Sequence, residues 1–432
     1  MGKTVSGEVK MDRLYKLKCW VYPLSFLGAE MFSAFCGITG YEQKEESSLY
    51  LYFMMTLFFL SMFLVVHDIF IKRKSYNKTV LLIPVFFTIC YFFDVNSEQI
   101  PLEWTIKSYQ FFIFFSLPSI MIASIMAKSR RVESLYKNID LIMFVLGVGM
   151  IAYLPKMVYV GEIIKGYNNI SYQSALALGY LYYGLLSKRE DRYAIFKTKL
   201  FRIISIVMCI FLALTSLASG GRGGVVFLLA LVSIISFIFV NKKNIMTVVF
   251  IIVPLGILSI IIIANFVHDS VLNDVFDSGI ARAFSYLTSN GIDMSQTSNR
   301  DIVYEVAMKN IEKNPYTGYG IFHTIGAFGY PHNIFLEMIE GGGLCYFFFW
   351  IIIIVKCFSR GYKIVKSYSN MSFLIPLFLY PCTMLLFSGS YVMNGPFWFF
   401  VCYSLCFKKI PIIEKSKIYE KTFNSQRRYF FL

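Results

Sequence analysis

The feature that most constrains this chain is the recurrence, along its whole length, of apolar runs near or above about eighteen residues, the length at which a helix can cross a bilayer. Of its 432 residues, 57% are hydrophobic and only 16% are charged, with a mean hydropathy of +0.60. A soluble domain of this size needs far more charge to cover its surface. The expected fold is therefore all-α, a polytopic integral membrane protein forming a single transmembrane domain over 1–432. Twelve spans are expected, at 19–37, 49–71, 79–93, 108–127, 139–155, 170–187, 203–218, 225–240, 245–264, 342–355, 372–388 and 392–407. Several fall short of the roughly 20 residues that a straight span needs.

The formal charge of +15 sits in short segments between these runs, with no basic groove or stacking module. Nucleic acid is therefore excluded as a partner, and the charge reads instead as a topology signal. With the N-terminus in the cytoplasm and the spans alternating, the inner segments hold 32 of the 41 Lys and Arg residues. The outer segments hold nine, against sixteen Asp and Glu. One miscounted span in the middle would collapse that asymmetry, so both termini are expected in the cytoplasm. Polar, basic residues precede the first apolar run, which lacks a small-residue cleavage site and reads as a span that stays in place. The nine cysteines are scattered singly with no CxxC pair, as small buried side chains are.

Charge inside the apolar runs is sparse. Glu30 and Asp68 are the main cases, and both fall near span ends, where snorkelling or headgroup contact would satisfy them. His67 adjoins Asp68 at an inner span end and reads as structural. No broken-helix symmetry relates the two halves of the chain, which argues against a secondary transporter.

One long segment, 265–341, separates the ninth and tenth expected spans and falls on the outer face. It opens with Asp269, Asp274, Asp277 and Arg282. A helix is predicted over 300–312, with a partly apolar surface that includes Val303, Tyr304, Val306 and Ala307. Pro315 ends that helix, and Gly318 and Gly320 permit a turn that other residues resist. A short helix is then predicted from near His332. Of the four histidines, His268 lies in a plain linker and His323 in the stretch that leads to this helix. His332 follows a proline and is accompanied by Asn333, Glu337 and Glu340. Its imidazole is a candidate proton acceptor, or else a loop residue.

Arginines on the outer side are rare: Arg222, Arg282 and Arg300. Arg222 lies in Ser-Gly-Gly-Arg-Gly-Gly at 219–224, between two apolar runs. Gly220 and Gly223 either allow a ligand to approach an arginine suited to phosphate oxygens, or simply shape a packing turn. No Gly-Lys-Ser/Thr follows, so this is not a Walker loop. No HExxH, clustered Asp-x-Asp or Cys/His spacing marks a metal site, and neither metal nor cofactor is expected.

Taken in order, these pieces resemble the superfamily of O-antigen polymerases and O-antigen ligases of bacterial envelopes. They are the glycine-flanked Arg222, then Arg-Asp-Ile-Val-Tyr at 300–304, then Asn-Pro-Tyr-Thr-Gly-Tyr-Gly at 314–320, and finally His-Asn-Ile-Phe-Leu-Glu at 332–337 with three glycines at 341–343. The chain departs from the pattern at Gly221, where relatives often carry serine before the arginine. The resemblance implies a metal-independent glycosyltransferase at the outer face of the cytoplasmic (inner) membrane. Its donor would be an undecaprenyl-diphosphate-linked oligosaccharide and its acceptor the growing glycan, giving O-antigen, capsular or related surface polysaccharide. Ligation to lipid A-core is the nearest alternative, and a flippase for the same lipid is a third. Arg222 and Arg300 would clamp the diphosphate with help from Arg282, and His332 would deprotonate or orient the acceptor hydroxyl. Tyr304, Asn333 and Glu337 would support them, with Glu337 orienting His332. Membrane lipids and a chain-length regulator are the further partners implied. Tyr316, Tyr319, Phe322 and Tyr330 are expected to stack on sugar rings.

Overall fold

Eleven of the twelve expected spans coincide with helices in the structure, a computed structural model. It describes residues 13–37, 47–72, 76–96, 101–128, 133–160, 166–187, 192–239, 287–288, 291–292, 300–322, 331–367, 371 and 373–407. The ninth expected span, 245–264, lies outside the described residues, as do Arg282, His268, His323 and the acidic cluster at 269–277. In chain order the helices are α1 (Arg13–Cys36), α2 (Ser48–Ile71), α3 (Lys78–Val95), α4 (Leu102–Lys128), α5 (Glu133–Ile151), α6 (Tyr153–Val160) and α7 (Tyr167–Leu186). They continue with α8 (Lys199–Ala218), α9 (Arg222–Phe239), α10 (Arg300–Lys313), α11 (Ile334–Ser367), α12 (Leu374–Phe387) and α13 (Gly395–Cys406). A hairpin pairing Leu287–Thr288 with Gly291–Ile292 is the single strand pair among the described residues. The protein is an all-α polytopic membrane protein: among the described residues seven helices are long and apolar enough to cross a bilayer, and α12 and α13 are shorter apolar helices.

Local chemistry sets many of the helix starts. Ser47 accepts from Tyr50 N at the start of α2, Thr198 from Phe201 N at α8, and Asn394 from Phe397 N at α13. Each satisfies an amide that the first helical turn leaves without an intrahelical partner. Two helices are enclosed rather than peripheral. Helix α7 is buried without a break from Ile170 to Tyr183 and packs against α5, α8, α9 and α12. Helix α13 is buried over most of its length among α1, α4, α11 and α12. Phenylalanines and isoleucines such as Phe237, Phe93 and Ile352 stand exposed on the outside, as a bilayer-facing surface requires.

Three expectations change. The short helix at His332 and the tenth span are one 34-residue helix, α11, broken at Gly343 with φ 75° and ψ 178°. Glu30 and Asp68 do not reach outward to a headgroup; both are buried. Asp68 pairs with Lys18 Nζ at 2.5 Å and accepts from Tyr22 Oη at 2.7 Å, while Glu30 accepts from Tyr380 Oη at 3.1 Å. Partners from α1 and α12 make an inward position cheaper than snorkelling. Phe322, expected to face sugar, is fully buried among Phe87, Tyr91, Tyr109 and Phe112.

Candidate active site

Helix α9 begins at Arg222, which is half-buried, directly after a turn in which Gly220 has φ 76°. The close approach that the glycines permit is taken by helix α7. A Cβ on Gly223 would lie 1.7 Å from Tyr172 Oη and 2.9 Å from Phe387 Cβ. Ser171 Oγ donates toward the Ser216 carbonyl at 2.8 Å and the Gly221 carbonyl at 3.1 Å. This explains the missing serine before the arginine, because a Cβ at Gly221 would stand 2.5 Å from Ser171 Cβ. The turn is thus a helix-packing device, and it holds Arg222 at the positive end of α9.

The segment after α10 closes onto the break in α11. Gly343 leaves the helical path, so the carbonyls before it and the amide after it lose their intrahelical partners. Tyr319 N donates to the Glu340 carbonyl at 2.8 Å, Gly320 N to the Gly341 carbonyl at 2.9 Å, and Leu344 N to the Pro315 carbonyl at 2.8 Å. In an apolar setting each unmade bond would be costly, so loop and break satisfy one another. The fit is at backbone distance: a Cβ on Gly318 would lie 2.5 Å from the Gly341 carbonyl carbon, and one on Gly343 would lie 2.1 Å from the Tyr316 carbonyl oxygen. Gly318 and Gly320 have φ of 68° and 113°. Two carboxylates hold the flanks: Asp94 at the end of α3 accepts from Phe322 N at 3.0 Å, and Glu340 accepts from Asn310 Nδ2 of α10 at 2.7 Å.

His332 is half-buried immediately before α11 and has φ 51°, the single positive φ of a non-glycine among the described residues. For a histidine that is an unusual conformation, held by its surroundings. Asn333 caps α11, its Oδ1 accepting from Phe335 N at 2.9 Å and Leu336 N at 3.4 Å. One turn on, the fully buried Glu337 accepts from the Ser390 hydroxyl and, at 3.3 Å, from Tyr391 N. These donors come from the loop 388–394 between α12 and α13, which the sequence did not single out. Its serines and glycine look like those of any turn, and only the contact with Glu337 reveals the connection.

That loop brings the two halves of the site together. Phe387 abuts Gly223, beside Arg222; Ser390, three residues on, holds Glu337, one turn after His332. Three residues reach at most about 11 Å. Arg222 and His332 therefore start their helices at the same end of the bundle. Tyr304 is half-buried on α10 near Ala307, which is buried. Arg300 opens α10, but its side chain lies outside the described residues. Tyr316 is 70% exposed at this end, Tyr319 is half-buried, and Tyr330 is outside the described residues. Among the described residues no three His, Cys, Asp or Glu side chains are grouped to hold a metal ion.

Residues 205–351 match the family model described as O-antigen ligase. The match runs from α8 to the middle of α11 and includes Arg222, Arg300 and His332; α1–α7, α12 and α13 fall outside it. No curated protein and no solved structure matches the chain.

Proposed function

We propose, from the premise that the match over residues 205–351 places this chain in the superfamily of O-antigen polymerases and ligases, that it polymerises lipid-linked oligosaccharide repeats. The donor in this proposal is a glycan on undecaprenyl diphosphate, and the acceptor is a sugar hydroxyl of the growing chain. The reaction takes place at the outer face of the cytoplasmic membrane, where the charge pattern puts the 265–341 segment. The observation that carries the proposal is the convergence of the Arg222 turn and the His332 helix start through the loop 388–394.

The acceptor oxygen attacks the anomeric carbon of the donor, and the bond from that carbon to the diphosphate oxygen breaks. The electron pair leaves with undecaprenyl diphosphate, and the hydroxyl proton passes to the His332 imidazole. Arg222, at the positive start of α9, stabilises the charge gathering on the leaving diphosphate, with Arg300 and Arg282 as its partners from the loop. Asn333 and Glu337 hold the helix start that bears the histidine, and Tyr304 supports α10. No metal and no nucleotide sugar enters this scheme. The exposed Phe and Ile surface accommodates the lipid tail, and a chain-length regulator would act on the product.

The test is incubation of the purified full-length protein with a lipid-diphosphate-linked repeat, followed by product sizing. A ladder of multiples is expected. A ladder that survives in Arg222→Ala and His332→Ala would overturn the site. The description of the matched family favours a second reading, ligation; transfer to lipid A-core without elongation would establish it. A topology reporter at Gly326 that reads cytoplasmic would remove the outer-face assignment.

A further inference from the structure

We infer that Ser390 is a positioning residue of this site: through Glu337, it fixes the start of α11, and with it His332, relative to Arg222. The inference rests on the transfer reading above for its kinetic consequence, but not for its geometry.

The α12–α13 loop is built rather than slack. Gly389 has φ 78°, and Ser390 is 3% exposed. Ser390 Oγ donates to Glu337 and accepts from Val392 N at 3.3 Å. Tyr391 N donates to the same carboxylate at 3.3 Å, its carbonyl accepts from Trp398 Nε1 at 2.9 Å, and its hydroxyl meets that of Tyr346 at 2.9 Å. The Val392 carbonyl accepts from Ser116 Oγ at 2.6 Å. Helices α4, α11 and α13 thus all hold the loop. At its other end, Phe387 packs on Gly223, where no side chain would fit.

A buried carboxylate in low dielectric takes strong hydrogen bonds from the donors that reach it, and a lost donor is not replaced by water. Glu337 sits in the first turn of α11, where its charge also complements the helix terminus. Removing the Ser390 hydroxyl leaves that carboxylate one donor short and releases the start of α11 from the loop. Phe387, three residues before Ser390, packs on Gly223 beside Arg222, so the loop then no longer fixes the distance from Arg222 to His332. Ser390 lies outside the matched residues 205–351, whereas Glu337 lies inside them.

The experiment uses the full-length protein in detergent micelles with spin-labelled unnatural amino acids at Val226 and Phe335, which are 42% and 40% exposed in the first turns of α9 and α11. Ser390→Ala and Glu337→Gln are expected to shift or broaden the label-to-label distance distribution, while Ser390→Thr, which keeps the hydroxyl, retains it. With the lipid-diphosphate-linked repeat as substrate, Ser390→Ala should lower kcat by about tenfold with KM within about twofold, since misplacement by about 1 Å is enough to slow a positioned reaction. Ser390→Thr should restore most of kcat. Unchanged distances in both Ser390→Ala and Glu337→Gln overturn the inference whatever the activity. Should Ser390→Ala fail to fold, Glu337→Gln and Ser390→Thr still decide it. If the wild type transfers nothing while the distances respond, the functional reading fails and the positioning role stands.

Discussion

The two ends of the helix bundle bury their charges in different ways. At one end, buried carboxylates take cations: Asp68 pairs with Lys18, and Asp140 with Arg192 at 3.1 Å, while Lys128 donates to the Tyr76 carbonyl. At the end that carries Arg222 and His332, four buried carboxylates among the described residues are met by neutral donors. Asp94 takes a backbone amide, Glu340 a carboxamide, Glu30 a phenol, and Glu337 a hydroxyl and an amide. The first pattern ties helices together by charge. The second uses glycine breaks and hydrogen bonds to hold a histidine and an arginine in place, so that small shifts there should register as lost chemistry before lost stability.

The largest effect should come from the site itself. Arg222→Ala and His332→Ala should each reduce transfer of the lipid-linked repeat by about 100-fold or more, as loss of one charge-stabilising or proton-accepting group does. Thermal midpoints should move little. Arg222→Lys should not recover the rate, because a point charge does not reproduce the guanidinium fork. Product sizing at matched protein levels checks all three.

Next in size is the opposite end. Lys18→Met strands Asp68 as a buried charge, and the expected loss is about 3–5 kcal/mol of stability, read from thermal unfolding in detergent. Transfer per folded molecule should be unchanged. A rate that falls in proportion to the missing arginine or histidine of the other end would break the contrast between the two.

Parts of the fold and of the site were legible in the sequence, and the reasons differ from residue to residue. The apolar runs located most of the helices, because a helix that crosses a bilayer needs about 20 apolar residues. Pro315, Gly318 and Gly320 announced the close of α10 through backbone sterics alone. The glycine run at 341–343 hinted at a break, but nothing local said that the 314–320 backbone would fill it. Glu30 and Asp68 looked like span-end charges because their partners, Tyr380 and Lys18, are remote in sequence or lie on another helix. Phe322 was one aromatic among many, and only tertiary packing put it into the core. Ser390 carried no signal at all, since its meaning depends on a glutamate 53 positions away.

The Arg222 turn gives a sharper test of intermediate size. Gly223→Ala places a methyl group against Tyr172 Oη and should destabilise by about 1–3 kcal/mol through overpacking. Adding Tyr172→Leu should return part of that stability. If the turn were shaped for ligand access alone, Gly223→Ala would keep the wild-type melting temperature and Tyr172→Leu would rescue nothing.

The smallest effect compares two helix caps. Thr198 caps α8 at the ion-paired end, and Asn333 caps α11 beside His332. Each bonds an amide of the first turn, so Thr198→Ala and Asn333→Ala should cost similar stability, about 1 kcal/mol. Their kinetic consequences should part. Loss of the α8 cap frays a helix start remote from the chemistry, and kcat should stay at the wild-type value. Loss of the α11 cap loosens the turn whose preceding residue is held at a positive φ, and kcat should drop several-fold with KM unchanged. Equal rates in the two variants would mean that the start of α11 tolerates fraying, and that the hydrogen-bonded end is no more finely placed than the charged one.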